Sequence, residues 1–221
     1  SRPILTGVHF VLSDNKDLKT VATDSHRMSQ KVITLEKNGD NFDVVIPSRS
    51  LREFTSVFSD DIETVEVFFA NNQILFRSEH ISFYTRLLEG NYPDTDRLIP
   101  TEFNTEATFN VANLRFAMER ARLLSNATQN GTVKLEFKNG VVSSHVHSPE
   151  VGRVNEEIDT SAVSGEDLSI SFNPTYLIEA LKAIDSEQVV IRFISSVRPF
   201  TLVPEGNEQG FIQLITPVRT N

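Results

Sequence analysis

Cysteine is absent from this 221-residue chain, which removes disulfides, thiolate metal sites and cysteine nucleophiles together and agrees with a reducing compartment. No apolar run approaches the ~20 residues that a membrane-spanning helix needs, and the opening Ser1-Arg2-Pro3-Ile4 lacks a signal-peptide layout. An excess of positive charge is also missing, since 21 Lys and Arg face 30 Asp and Glu for a net charge of −9. A wholly cationic nucleic-acid binder is thereby excluded, while a local basic surface is not. The nine glycines never take the spacing of a phosphate-binding loop. What is present is ample core material, 39% hydrophobic against 23% charged, with no compositional mark of disorder. The expectation is a soluble, cytoplasmic protein of one large domain or two ordinary ones.

A repeat organises the chain. Ile46-Pro47-Ser48-Arg49-Ser50-Leu51, Phe109-Asn110-Val111-Ala112-Asn113-Leu114 and Phe172-Asn173-Pro174-Thr175-Tyr176-Leu177 each pass from an apolar strand end through a polar start signal into an amphipathic segment. The strand-end residues at 46, 109 and 172 and the leucines at 51, 114 and 177 recur at a step of 63. Period 3.6 places Leu51, Phe54, Val57 and Phe58 on one helix face. It does the same for Leu114, Ala117, Met118, Ala121 and Leu124, and for Leu177, Ala180, Leu181 and Ile184. Ser48, Asn110 and Asn173 are candidate N-caps, and Pro174 suits a first helical position. Between the helices the period falls to two, with Asn71-Asn72 and Asn139-Gly140 supplying tight turns.

The repeating unit is therefore strand, helix, then three antiparallel strands, and two units make a domain. The fold class is α+β. Residues 102–221 hold two units in 120 residues, whereas 1–101 fall 19 short of that, about one strand and a short helix. The first domain is expected to be incomplete, with its opening strand and helix lying before residue 1.

Enzymatic signals are weak. Thr23-Asp24-Ser25-His26 sets hydroxyl, carboxylate and imidazole side by side, but triads are assembled from separated elements, and in a turn such residues satisfy backbone groups. His145 and His147 share one strand face without an evident third ligand, so a solvated face is the expectation. No catalytic residue, metal or cofactor is expected.

Ala22-Thr23-Asp24-Ser25-His26-Arg27-Met28, Leu88-Glu89-Gly90-Asn91-Tyr92-Pro93-Asp94, Arg97-Leu98-Ile99-Pro100 and Gln213-Leu214-Ile215-Thr216-Pro217-Val218-Arg219 resemble the bacterial DNA sliding clamp family, the beta subunits of replicative DNA polymerases. Arg198-Pro199-Phe200 looks like its Gram-positive branch. The resemblance covers the whole chain with its motifs in order. It implies a homodimeric ring of three-domain protomers, helices lining the hole and sheets outside, serving as a processivity factor. Residues 1–101 would be part of the middle domain and 102–221 the C-terminal domain. Lacking the first domain, this chain is not expected to close a ring alone.

The resemblance further implies a groove that takes short peptides of the polymerase, the clamp loader and repair proteins. Its matching positions begin with Leu5, Thr23, Ser25, His26, Arg27 and Met28. Pro93, Arg97, Leu98, Met118, Asn173 and Tyr176 follow, then Val197, Pro199, Leu214, Ile215, Thr216, Pro217, Val218 and Arg219. The family often has glycine and leucine where Ser25 and Met28 stand. Aliphatic members would form pockets, Met28 adaptably, while the prolines stiffen the walls and withhold donors. Leu214 to Val218 run apolar almost to the last residue, where chain ends are normally polar.

Charge supports duplex DNA as a second partner. The three helices carry Arg49, Arg52, Arg115, Arg120, Arg122 and Lys182 against Glu53, Glu119 and Glu179, a local +3 that leaves −12 elsewhere. A basic layer in an acidic protein suits non-specific, salt-dependent phosphate contact. The alternative is a structural protein-interaction module that never meets DNA.

Overall fold

The computed structural model describes residues 2–14, 16–58, 62–125, 131–148 and 152–219. They divide into two compact units, Ser1–Asp24 with Gln30–Thr95, and Ser25–Ser29 with Asp96–Asn221.

The second unit follows the repeat twice. Strand β8 (Thr105–Asn110) leads into α2 (Val111–Ser125), then β9 (Val133–Lys138), β10 (Val141–Ser148) and β11 (Gly152–Ile158). After a short β12 (Ala162–Gly165), β13 (Leu168–Phe172) leads into α3 (Pro174–Lys182), then β14 (Gln188–Phe193), β15 (Phe200–Pro204) and β16 (Phe211–Ile215). Both helices start as their sequences require. The backbone N–H of Asn113 donates to Asn110 Oδ1 at 3.0 Å, and that of Thr175 to Asn173 Oδ1 at 2.9 Å, satisfying amides that have no partner within the helix.

The opening strands change places. β13 pairs with β9, aligning Ile170 with Leu135, and β8 pairs with β14, aligning Ala107 with Ile191. The result is one sheet ordered β11-β10-β9-β13 and another ordered β12-β8-β14-β15-β16. Period two turns Thr105, Ala107 and Phe109 inward, and α2 and α3 lie against each other in the same core. Four rings cross that core in series, Phe172 to Phe200 at 5.1 Å, Phe200 to Phe193 at 5.2 Å and Phe193 to Phe137 at 4.9 Å.

The first unit contains β1 (Gly7–Ser13), β2 (Asp17–Thr23), β3 (Arg27–Thr34, its first residues grouped with the second unit) and β4 (Phe42–Pro47). Helix α1 (Ser48–Val57) follows, then β5 (Glu66–Ala70), β6 (Gln73–Arg77) and β7 (Ser82–Arg86). One sheet runs β3-β2-β1-β4 and the other β5-β6-β7. Phe54 on α1 stacks on Phe58 at 4.4 Å and meets Phe76 at 4.7 Å. No residue of α1 is fully buried, because among the described residues of this unit no second helix lies beside it. Among the described residues β5 pairs with β6 alone, whereas its counterpart β14 is flanked on both sides.

Asn71 (φ 51°), Asn139 (φ 52°) and Gly140 (φ 78°) take the left-handed conformation of two-residue hairpin turns, and Ala70 aligns with Gln73 across the first. Two expectations are corrected. Ser48 caps nothing: Pro47 occupies the position before the helix and offers no side-chain acceptor, and Ser48 is already helical. β12 is a strand the periodicity did not signal, since four residues of Ala-Val-Ser-Gly at a sheet edge carry no alternation.

Candidate functional site

The segment 25–29 shows why a strand end becomes a surface. Ser25 sits at φ 75°, a left-handed conformation in which a Cβ costs roughly 1–2 kcal/mol. The bend it makes carries His26 toward the C-terminal end of the chain, and the Thr216 N–H donates to the His26 carbonyl at 2.9 Å. The Thr23-Asp24-Ser25-His26 run is thus a turn rather than a catalytic array. The His26 ring stacks on Tyr176 with centroids 6.4 Å apart. Arg27 lies with its guanidinium 4.6 Å above the same ring and pairs with Glu179, one turn further along α3. Asn173, by capping α3, fixes the turn from which Tyr176 projects.

Beyond β16 the chain remains attached. The Val218 N–H donates to the Ser171 carbonyl at 2.7 Å, so Pro217 and Val218 are held to the fold rather than frayed. Val218 is 37% exposed, Leu98 50% and Val197 52%, whereas Met28, Leu214 and Ile215 are buried. Thr216 and Pro217 are half-buried and Arg219 is exposed. The second unit therefore carries a wall of His26, Arg27 and Tyr176 with the pinned C-terminal segment bonded beside it at His26 and Ser171, and also carries exposed aliphatic side chains. Replacing Ser25 by glycine is expected to raise stability by about 0.5–1 kcal/mol, relief of the left-handed conformation outweighing the added freedom of the unfolded chain. A urea midpoint that fails to rise would show the bend to be unstrained.

A cleft of about 530 Å³ in the same unit is lined by Arg97, Leu98 and Pro199, three of the expected groove residues, and by Ile99, Pro100, Thr101, Glu102, Ile194 and Arg198. Leu5, Thr23 and Pro93 belong to the other unit: Leu5 in the turn Pro3–Thr6, Thr23 at the end of β2, Pro93 after Tyr92. The Tyr92 hydroxyl donates to the Val21 carbonyl at 3.3 Å, and burial pushes its pKa up. Met118 is corrected. It is 0% exposed and belongs to the core, as its helical phase with Leu114 and Ala121 dictates, and it lines no surface.

The helical cations separate into two kinds. Arg49 is bonded to Glu53 at 3.0 Å. Arg115 lies 3.9 Å from Glu119 and over the Phe116 ring. Arg120 binds Glu156 on β11, whose hydrogen bond raises the arginine's pKa against a smaller opposing effect of burial. Arg52, Arg122 and Lys182 have no carboxylate partner among the described residues. Arg115 and Lys182 border one shallow depression between the start of α2 and the end of α3, so cations from two helices share a surface.

Some participants were not singled out in the sequence. Glu179 was counted only as an opposing charge, although its i,i+3 spacing from Tyr176 signals a shared face. Arg198 stands between Val197 and Pro199, both already assigned, and Ile194 carries no motif. His145 is engaged at both nitrogens, by Ser143 at 2.9 Å and Asn155 at 2.7 Å.

The family model for the C-terminal domain of the DNA polymerase III beta subunit matches residues 96–219, and that for its central domain matches residues 1–94. The beta sliding clamp of Streptococcus pneumoniae serotype 4 is 80% identical over 221 residues, covering 100% of this chain and 58% of that protein. The crystal structure of the DNA polymerase III beta chain from Streptococcus pneumoniae superposes with a TM-score of 0.98 at 80% identity, over 100% of this chain and 58% of that one. The sliding clamp of Bacillus subtilis gives 0.94 at 38% identity, over 100% and 58%. The chain thus spans somewhat over half the length of the relatives it matches. The 63-residue repeat, the exchanged strands and these matches place it in one family, and the chain belongs to the DNA polymerase III beta subunits, the bacterial sliding clamps.

Proposed function

We propose that this chain is the part of a processivity factor that tethers replication proteins to duplex DNA, and that it catalyses no reaction. The observation that carries this is the wall of Arg27 stacked on Tyr176 beside a C-terminal segment pinned at Val218. It offers exposed apolar side chains and fixed backbone to a short extended peptide, supplied by the polymerase, the clamp loader or repair proteins. Residues 1–101 act as a middle domain and 102–221 as the C-terminal domain. With the remaining domain, two copies form the ring. In support, Leu123 is 72% exposed on α2, and α2 borders β11, the end strand of its sheet. The assembly works in the cytoplasm; no described helix is long and apolar enough to cross a membrane.

DNA meets the helices through Arg52, Arg122 and Lys182 in particular, the helical cations with no carboxylate partner among the described residues to give up on turning to phosphate. Each phosphate contact contributes about 0.9 to the slope of log affinity against log salt. Arg52→Gln combined with Lys182→Gln is expected to reduce that slope by up to ~1.8 for a duplex of random sequence, with a smaller loss for Arg49→Gln. Fluorescence anisotropy at several salt concentrations reads this out. A slope near zero in the unaltered chain would favour an interaction module without DNA contact.

A further inference from the structure

We propose that the cleft between the turn Asp96–Leu98 and the loop 194–199 receives an aspartate or glutamate side chain from the peptide whose apolar residues occupy the adjoining groove. The inference rests on the groove described above, with which the cleft shares Arg97, Leu98 and Pro199. Its lining is mainly aliphatic, with guanidinium groups from Arg97 and Arg198 and one carboxylate, Glu102. Arg27, Arg120 and Arg192 of the same unit each close onto carboxylates of the chain itself. Arg198 does not: it is exposed, and no described residue pairs with it.

The donor chemistry narrows the occupant. Pro100 and Pro199 have no backbone N–H, and the guanidinium of Arg198 donates but accepts nothing. The group that fits is an acceptor, and a carboxylate gains most because both partners are then ionised. Ile99, Ile194 and the prolines beside it thin the water around such a pair, which strengthens it. The chain carries 30 acidic residues and a net charge of −9, so the attraction for an acidic side chain is local to this cleft and acts at short range.

The test uses the 221-residue chain with 13C-labelled methyl groups and two synthetic probes, acetyl-Leu-Phe-Gly-Glu-amide and its Gln counterpart, titrated by NMR. The Glu probe is expected to shift the Ile99 and Ile194 methyls with a Kd about five-fold lower than the Gln probe at 20 mM salt, as for a well-formed exposed ion pair, and the ratio should shrink at 0.5 M salt. Arg198→Gln should bring the ratio to about one while both probes still shift the Val218 methyls. Equal affinities in the unaltered chain, or a ratio that survives Arg198→Gln, overturn the proposal. Shifts confined to Val218 and equal for both probes leave the groove standing and remove its acidic extension. Probes that shift no methyl overturn both.

Discussion

Phe172→Ala is expected to lower the unfolding free energy of the second unit by about 3–5 kcal/mol. Phe172 ends β13 at the point where the chain enters α3, and it is wholly buried. Its ring meets Phe200, the second of four rings packed in series. Truncation removes the transfer free energy of the ring and leaves a void bounded by strands β9, β13 and β15, which cannot collapse without breaking ladders on both sheets. Urea denaturation followed by circular dichroism should show a lower midpoint with an unchanged slope. A loss below ~1 kcal/mol would mean that the core refills around the missing ring.

The second large effect is on binding. Leu98→Glu is expected to weaken a peptide carrying the clamp-binding segment of the polymerase by about thirty-fold or more, roughly 2 kcal/mol, because an apolar contact is replaced by a carboxylate that binding would desolvate. Leu98 is half exposed in the free chain, so the substitution leaves the fold alone, and calorimetry isolates the effect on affinity. Met28→Glu has no such separation. With Met28 only 3% exposed, burying that charge would destabilise the unit whatever it does to binding. Undiminished affinity of the Leu98→Glu chain would remove this side chain from the groove.

The helices were legible because α2 and α3 each bury a face of one period and α1 carries the same pattern half-buried at Leu51 and Phe54, and the three starts could be aligned on Ile46, Phe109 and Phe172. Which strand each start would join was not legible. Alternation shows that β8 and β13 have an inward face but says nothing of the neighbour, and both join the sheet of the other half. Ser25 shows a different gap. Composition places a polar residue in a turn, but only the backbone reveals φ 75°, a conformation that favours glycine. Met118 was misassigned because resemblance outweighed its helical phase, which alone would have placed it in the core. The ion pair of Arg27 with Glu179 joins residues 152 positions apart, beyond the reach of any local pattern.

The exchange of opening strands in the second unit has a consequence for how that unit comes into being. Neither half of it can finish its own sheet, so residues 105–158 and 162–215 are obliged to co-fold, and much of the order must await encounters between distant stretches of chain. Such topologies fold slowly. By the same token, a backbone severed between β11 and β12 would leave two fragments, each holding the strand that completes the other. Fragment complementation, rather than loss of the unit, is the natural fate of that nick.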